Sequence, residues 1–194
     1  MVPIAFLTKR VTKASVQDWE KLRRVFSCLN AMMHMPLILK IDNSTVVKAW
    51  VDVAFAVHKD YKFHTGNVIS MGKGALYASS MSQKLNTTSL TESQTVGASD
   101  CLGQTIWTMN FLECQGFKVW RNYYYQDNES AIRLEKNRIQ SAGKRSRHID
   151  IRFFFIKDQI KKATYTYCTA PQKICLRIFS ASLFKEPCSF DSAT

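Results

Sequence analysis

The run Val46-Val47-Lys48-Ala49-Trp50-Val51-Asp52-Val53-Ala54-Phe55-Ala56-Val57 is rich in valine, alanine and aromatic side chains and carries one acid in its middle. Such a composition predicts a buried strand. An ionised carboxylate among these neighbours is costly unless a partner or a cation offsets the lost hydration, which makes Asp52 the most informative acid in the chain. The alternative reading of Asp52 is a strand-edge aspartate facing water.

Downstream, two shorter strands are expected at about Asn67 to Met71 and Ala75 to Ser79, flanking a hairpin turn at Gly72-Lys73-Gly74. Ser89-Leu90-Thr91-Glu92 has the spacing of a capping box, and Val96, Leu102, Ile106, Met109 and Leu112 continue a long helix that stops near Gly116. Lys118 to Tyr125 is strand-like and ends at Gln126-Asp127-Asn128. A short helix from Asn128 to about Lys136, a basic loop, a helix from about Arg147 to Ile160 and a last strand from Thr164 to Cys168 complete a β-β-β-α-β-α-α-β order. Upstream, Ser15-Val16-Gln17-Asp18 is a second capping box. Trp19, Leu22, Val25, Phe26, Leu29 and Met32 follow it at helical spacing, up to a stop before Pro36.

Glu92 also reads as a cap, because a capping-box glutamate bonds back to the free amide at a helix entrance. Asp127 sits where a strand runs into a helix, a place that suits a helix cap and a functional carboxylate equally. Asp52 in the first strand, Glu92 at the start of the long helix and Asp127 at the end of the fourth strand could converge at one sheet edge. Hard carboxylate oxygens in such a cluster suit Mg²⁺ or Mn²⁺. A pair of such ions about 4 Å apart can activate water and stabilise a leaving oxygen in phosphodiester hydrolysis.

The 27 lysines and arginines outnumber 15 acidic residues, for a net charge of +12, so a polyanion is the natural partner: nucleic acid first, an anionic membrane surface second. Lys144-Arg145-Ser146-Arg147-His148 reads as a solvated face or as phosphate contacts. The four histidines show no ligand spacing, and Gly72-Lys73-Gly74 suits a turn better than a nucleotide cradle. The six cysteines form no C-x-x-C pair and are read as reduced, mostly buried thiols. No stretch approaches the ~18 apolar residues of a membrane span, so a soluble intracellular protein, cytoplasmic or nuclear, is expected.

Four segments in this order and spacing resemble the successive signatures of copia-type retrotransposon ribonuclease H domains. They are Val51-Asp52-Val53-Ala54-Phe55-Ala56-Val57-His58, Ser89-Leu90-Thr91-Glu92, Tyr125-Gln126-Asp127-Asn128-Glu129-Ser130-Ala131, and Arg147-His148-Ile149-Asp150-Ile151-Arg152-Phe153. Thr8-Lys9-Arg10-Val11 and Asp18-Trp19-Glu20-Lys21-Leu22-Arg23-Arg24-Val25 resemble the end of the reverse transcriptase that precedes this domain in the polyprotein, and no Tyr-x-Asp-Asp polymerase motif is present. The resemblance implies an α/β, ribonuclease H-like mixed sheet that opens with three antiparallel strands and is flanked by helices, behind an N-terminal helical remnant. The expected division is residues 1–45 for the remnant, 46–168 for the domain and 169–194 for an aberrant tail.

The implied activity is Mg²⁺- or Mn²⁺-dependent hydrolysis of RNA in RNA·DNA hybrids, with two ions on Asp52, Glu92 and Asp127, which match three of the family's four acids. Lys144, Arg145, Arg147 and His148 would face nucleic acid, and Asp150 is read as structural or substrate-facing. The fourth acid normally lies in an Ala-Asp-Phe-Phe segment; here the chain reads Thr169-Ala170-Pro171-Gln172-Lys173-Ile174-Cys175-Leu176-Arg177-Ile178-Phe179, without that aspartate, and Asp191 lies too near the terminus to replace it. Codons chosen for Ala170 to Ser189 can spell the family's ending in another frame, so a frameshift near Thr169 is expected, with impaired activity. Three other readings stand beside this one: an inactive nucleic-acid-binding relic, a translated pseudogene, and an integrase or transposase. The last would carry its acids in the order Asp, Asp, Glu, whereas this chain has Asp, Glu, Asp.

Overall fold

The alternation expected of a half-buried strand is present in the first strand, β1 (Val46–Ala54), where Val47, Ala49, Val51 and Val53 are buried and the residues between them are not. The structure is a computed structural model that describes residues 2–36, 38–42, 46–54, 61–87, 89–137, 147–162 and 165–170. β1 pairs antiparallel with β2 (His64–Ser70), which pairs antiparallel with β3 (Ala75–Ser82). Both later strands are longer than the sequence alone suggested. The chain then crosses over through α3 (Leu90–Cys114), so that β4 (Arg121–Gln126) lies parallel to β1, and β5 (Thr166–Thr169) lies parallel to β4. The resulting order, β3-β2-β1-β4-β5, is the mixed sheet that the ribonuclease H resemblance implies.

The turn between β2 and β3 is where the sequence placed it. The Ser70 hydroxyl donates to the Gly74 carbonyl at 2.6 Å. A Cβ at Gly72 would stand 1.9 Å from the Lys40 carbonyl oxygen, so only glycine admits the strap of residues 38–42, which bonds there through Lys73 N to Lys40 O at 2.9 Å and Asp42 N to Met71 O at 3.1 Å.

α3 starts at Ser89, whose hydroxyl accepts from the Glu92 amide at 3.1 Å. It ends in a Schellman motif: Gly116 takes φ +87, and the Phe117 and Gly116 amides reach back to Leu112 at 3.0 Å and Glu113 at 2.9 Å. The helix lies against the odd-numbered face of β1, close enough that a Cβ on Gly97 would meet Val53 at 2.7 Å. Under it sits the core, made of Val47, Ala49, Val51, Ile69, Ala98, Leu102 and Tyr124. α4 (Glu129–Asn137) contributes Ile132, and α5 (Arg147–Lys161) contributes Ile156. An Arg152–Asp100 ion pair ties α5 to α3.

Before the sheet come α1 (Val2–Thr8) and α2 (Val16–Ala31). The Ser15–Asp18 capping box is present, and Arg10 pairs with Asp18 at 3.1 Å. α1 reaches the sheet on the face opposite α3, where the Phe6 ring stacks on His64 at 5.3 Å between centroids. The periodicity of α2 gave the helix correctly but not a buried face: Trp19 is 66% and Phe26 60% exposed. Spacing reports which residues share a stripe, while burial needs a partner, and α2 rests mainly on the short α1.

Candidate active site

Parallel pairing of β1 with β4 puts the C-terminal ends of both strands at one sheet edge. Val51 is opposite Gln126, so the next residue of each chain segment is an aspartate, Asp52 and Asp127. Their charges act on each other. Burial, then the Asp127 charge, pushes the Asp52 carboxyl up to about 6, opposed in part by a hydrogen bond from the Val53 amide. One register step behind Asp52, on the same face, Trp50 stacks on Tyr125 at 5.3 Å, which makes that side of the carboxylate apolar.

The helix-cap reading of Asp127 does not hold. Asn128 takes that role, its Oδ1 accepting from the Ala131 amide at 3.0 Å, and Asp127 is left for the sheet edge. Two buried glutamines border it: Gln94 Nε2 donates to Asp127 Oδ1 at 3.5 Å, and Gln126 Nε2 donates to Gln94 Oε1 at 3.2 Å. Neither amide was singled out by the sequence, where only their places, beside Asp127 and two residues after Glu92, could have hinted at a role.

Glu92 lies in the first turn of α3 and is partly buried. Among the described residues no three of His, Cys, Asp and Glu stand close enough together to hold a metal ion, so the structure gathers Asp52 with Asp127 but not Glu92 with them. The two aspartates suit a divalent cation, since each raises the other's need for a neutralising charge and both are hard oxygen donors.

Of the basic residues expected at nucleic acid, Lys144 and Arg145 lie outside the described residues. Arg147 and His148 begin α5, with side chains outside the described part of the structure. Asp150 follows in the same helix and its side chain is likewise outside it, as is segment 171–194; of the expected aberrant tail 169–194 only Thr169, which ends β5, and the buried Ala170 are described. His64 is a buried hydrogen-bonding histidine, 2.7 Å from the Ser80 hydroxyl. The described cysteines Cys28, Cys101, Cys114 and Cys168 form no disulfide with one another; Cys101 is buried, Cys28 and Cys168 are half-buried, and Cys114, at the end of α3, is exposed, so they are not mostly buried as expected. No described helix is long and apolar enough to cross a membrane.

The chain is 31% identical over 116 residues to the Retrovirus-related Pol polyprotein from transposon TNT 1-94 of Nicotiana tabacum. The chain is similar to part of a retrotransposon Pol polyprotein. The match takes in 59% of this chain and 9% of that polyprotein, so the chain corresponds to only a small part of its relative's length. No family model matches the chain. Among solved structures it is similar to LC11-RNase H1 isolated from compost (14% identity, TM-score 0.49, 73% of this chain and 97% of that one). It is also similar to an N-terminal RNase H domain from Mycobacterium tuberculosis (10% identity, TM-score 0.48, 73% and 95%).

Proposed function

We propose that this domain derives from a copia-type retrotransposon ribonuclease H and hydrolyses the RNA strand of RNA·DNA hybrids with Mg²⁺ or Mn²⁺. The observation that supports it most is the pair of aspartates at the C-terminal ends of adjacent parallel strands, with Asp52 held partly out of water. Asp52 and Asp127 would hold the cation, with Glu92 as a third ligand once its carboxylate turns toward them. A bound divalent ion supplies an activated water and charge neutralisation at the scissile phosphate. The chain's own part is to fix the two carboxylates on a rigid sheet, to keep one flank apolar with Trp50 and Tyr125, and to attract the polyanion with a net charge of +12. Lys144, Arg145, Arg147 and His148 are assigned to the nucleic-acid backbone, and residues 1–45 to the end of the preceding reverse transcriptase.

The absence of the family's fourth acid between Thr169 and Phe184 favours a second reading, in which the domain binds hybrid and no longer cuts it. Incubating a labelled RNA·DNA hybrid with the purified chain in Mg²⁺ and in Mn²⁺ separates the two. Slow cleavage that falls about a hundredfold or more in Asp52→Asn and in Glu92→Gln is expected. Binding without cleavage by a folded chain would support the second reading instead, and no binding at low salt would exclude both.

A further inference from the structure

We propose that Gln94 is a positioning residue for Asp127: its buried amide, clamped by Gln126, sets where the carboxylate stands. The inference rests on the reading of Asp52 and Asp127 as a cation site.

The orientation of the amides follows from the carboxylate outward. An ionised carboxylate only accepts hydrogen bonds, so Gln94 must turn Nε2 toward Asp127, as it does at 3.5 Å. That leaves Gln94 Oε1 to face Gln126, which must in turn offer its own Nε2, as it does at 3.2 Å. Reversing both amides would set Gln94 Oε1 against the Asp127 oxygen. The chosen orientation leaves Gln126 Oε1 buried without a hydrogen-bond partner among the described residues, as expected if the carboxylate dictates the arrangement. Gln94 is 2% and Gln126 0% exposed, so water does not compete for these contacts.

Chemistry explains why an amide serves here. A lysine or arginine reaching Asp127 would neutralise it and repel a divalent cation, whereas a neutral donor orients the carboxylate and keeps its charge available. α3 and β4 each supply one amide, so the relay also links the helix that carries Glu92 to the strand that leads into Asp127. Groups that orient a metal ligand from behind affect affinity without touching the ion.

The relay could instead be a structural pair whose loss only loosens the fold, and two variants separate the roles. Gln94→Met removes the contact to Asp127 and strands the Gln126 amide, so it lowers both Mn²⁺ affinity and thermal stability. Gln94→Met with Gln126→Met replaces both polar partners by apolar ones of similar shape, which restores stability but not the hold on Asp127. Mn²⁺ binding to the full chain, followed by the free-ion electron paramagnetic resonance signal with Asp52→Asn as the reference for the site, is the direct readout. The expected result is about a tenfold loss of Mn²⁺ affinity in both variants, with the melting temperature recovered only in the double variant. Wild-type affinity in Gln94→Met, or affinity that returns together with stability in the double variant, would overturn the positioning role alone. Wild-type Mn²⁺ binding indifferent to Asp52→Asn would overturn the cation site itself, and the inference with it.

Discussion

Asp52→Asn is expected to stabilise the metal-free domain at pH 7, by an amount approaching 3 kcal/mol, even as it removes the proposed activity. The folded carboxyl is raised to about 6, mainly by burial and then by the Asp127 charge. Below the unfolded-state value the group is protonated in both states and contributes no difference. As pH rises through the window from about 4 to 6 the unfolded chain releases its proton first, so stability falls, and above about 6 the whole penalty is present. A rise from 3.8 to about 6 corresponds to roughly 3 kcal/mol, an upper figure because the site is partly open to water. Asparagine carries no charge to desolvate and keeps an oxygen for the Val53 amide. Urea unfolding in a chelator at pH 7 and at pH 4 checks this: the variant gains at pH 7 and the gain disappears at pH 4. Equal gains at both pH values would show that the effect is packing and not charge.

Tyr124→Ala is expected to cost about 4 kcal/mol, a large share of the stability of an ordinary domain. Tyr124 is fully buried at the centre of β4, packs against Tyr165 and Tyr167 at centroid distances of 6.4 and 5.1 Å, and donates its hydroxyl to the Ala98 carbonyl at 2.8 Å. The residue therefore joins β4, β5 and α3, the elements that place Asp127. Tyr124→Phe keeps the ring and loses only that hydrogen bond, for about 1 kcal/mol. Both values come from urea unfolding at one pH; a loss below about 1 kcal/mol for the alanine variant would mean that Tyr124 does not anchor β4 in the core.

The order of strands and helices was legible because each element has its own period and punctuation. β1 shows its apolar run, α3 its serine cap and closing glycine, and the hairpin its Gly72-Lys73-Gly74 turn. Asp52 was legible for a physical reason that holds without any family: a charge inside such a strand must be compensated. Asp127 was ambiguous, since a residue between strand and helix can cap, and only the structure showed Asn128 doing so. The amide relay was not legible at all, because Gln94 and Gln126 are 32 residues apart and acquire meaning only when α3 is laid on β4. The uncovered face of α2 was invisible for the opposite reason: its periodicity is sound, and exposure depends on neighbours that no local pattern encodes.

The most direct test of the cation site is the titration of the Asp52 carboxyl, observed by carbon-detected nuclear magnetic resonance in wild type and Asp127→Asn, with and without Mg²⁺. A midpoint near 6 in the metal-free protein, lower in Asp127→Asn and much lower with Mg²⁺ bound, is the predicted result. A midpoint in the ordinary carboxylate range, indifferent both to Asp127 and to Mg²⁺, would contradict it.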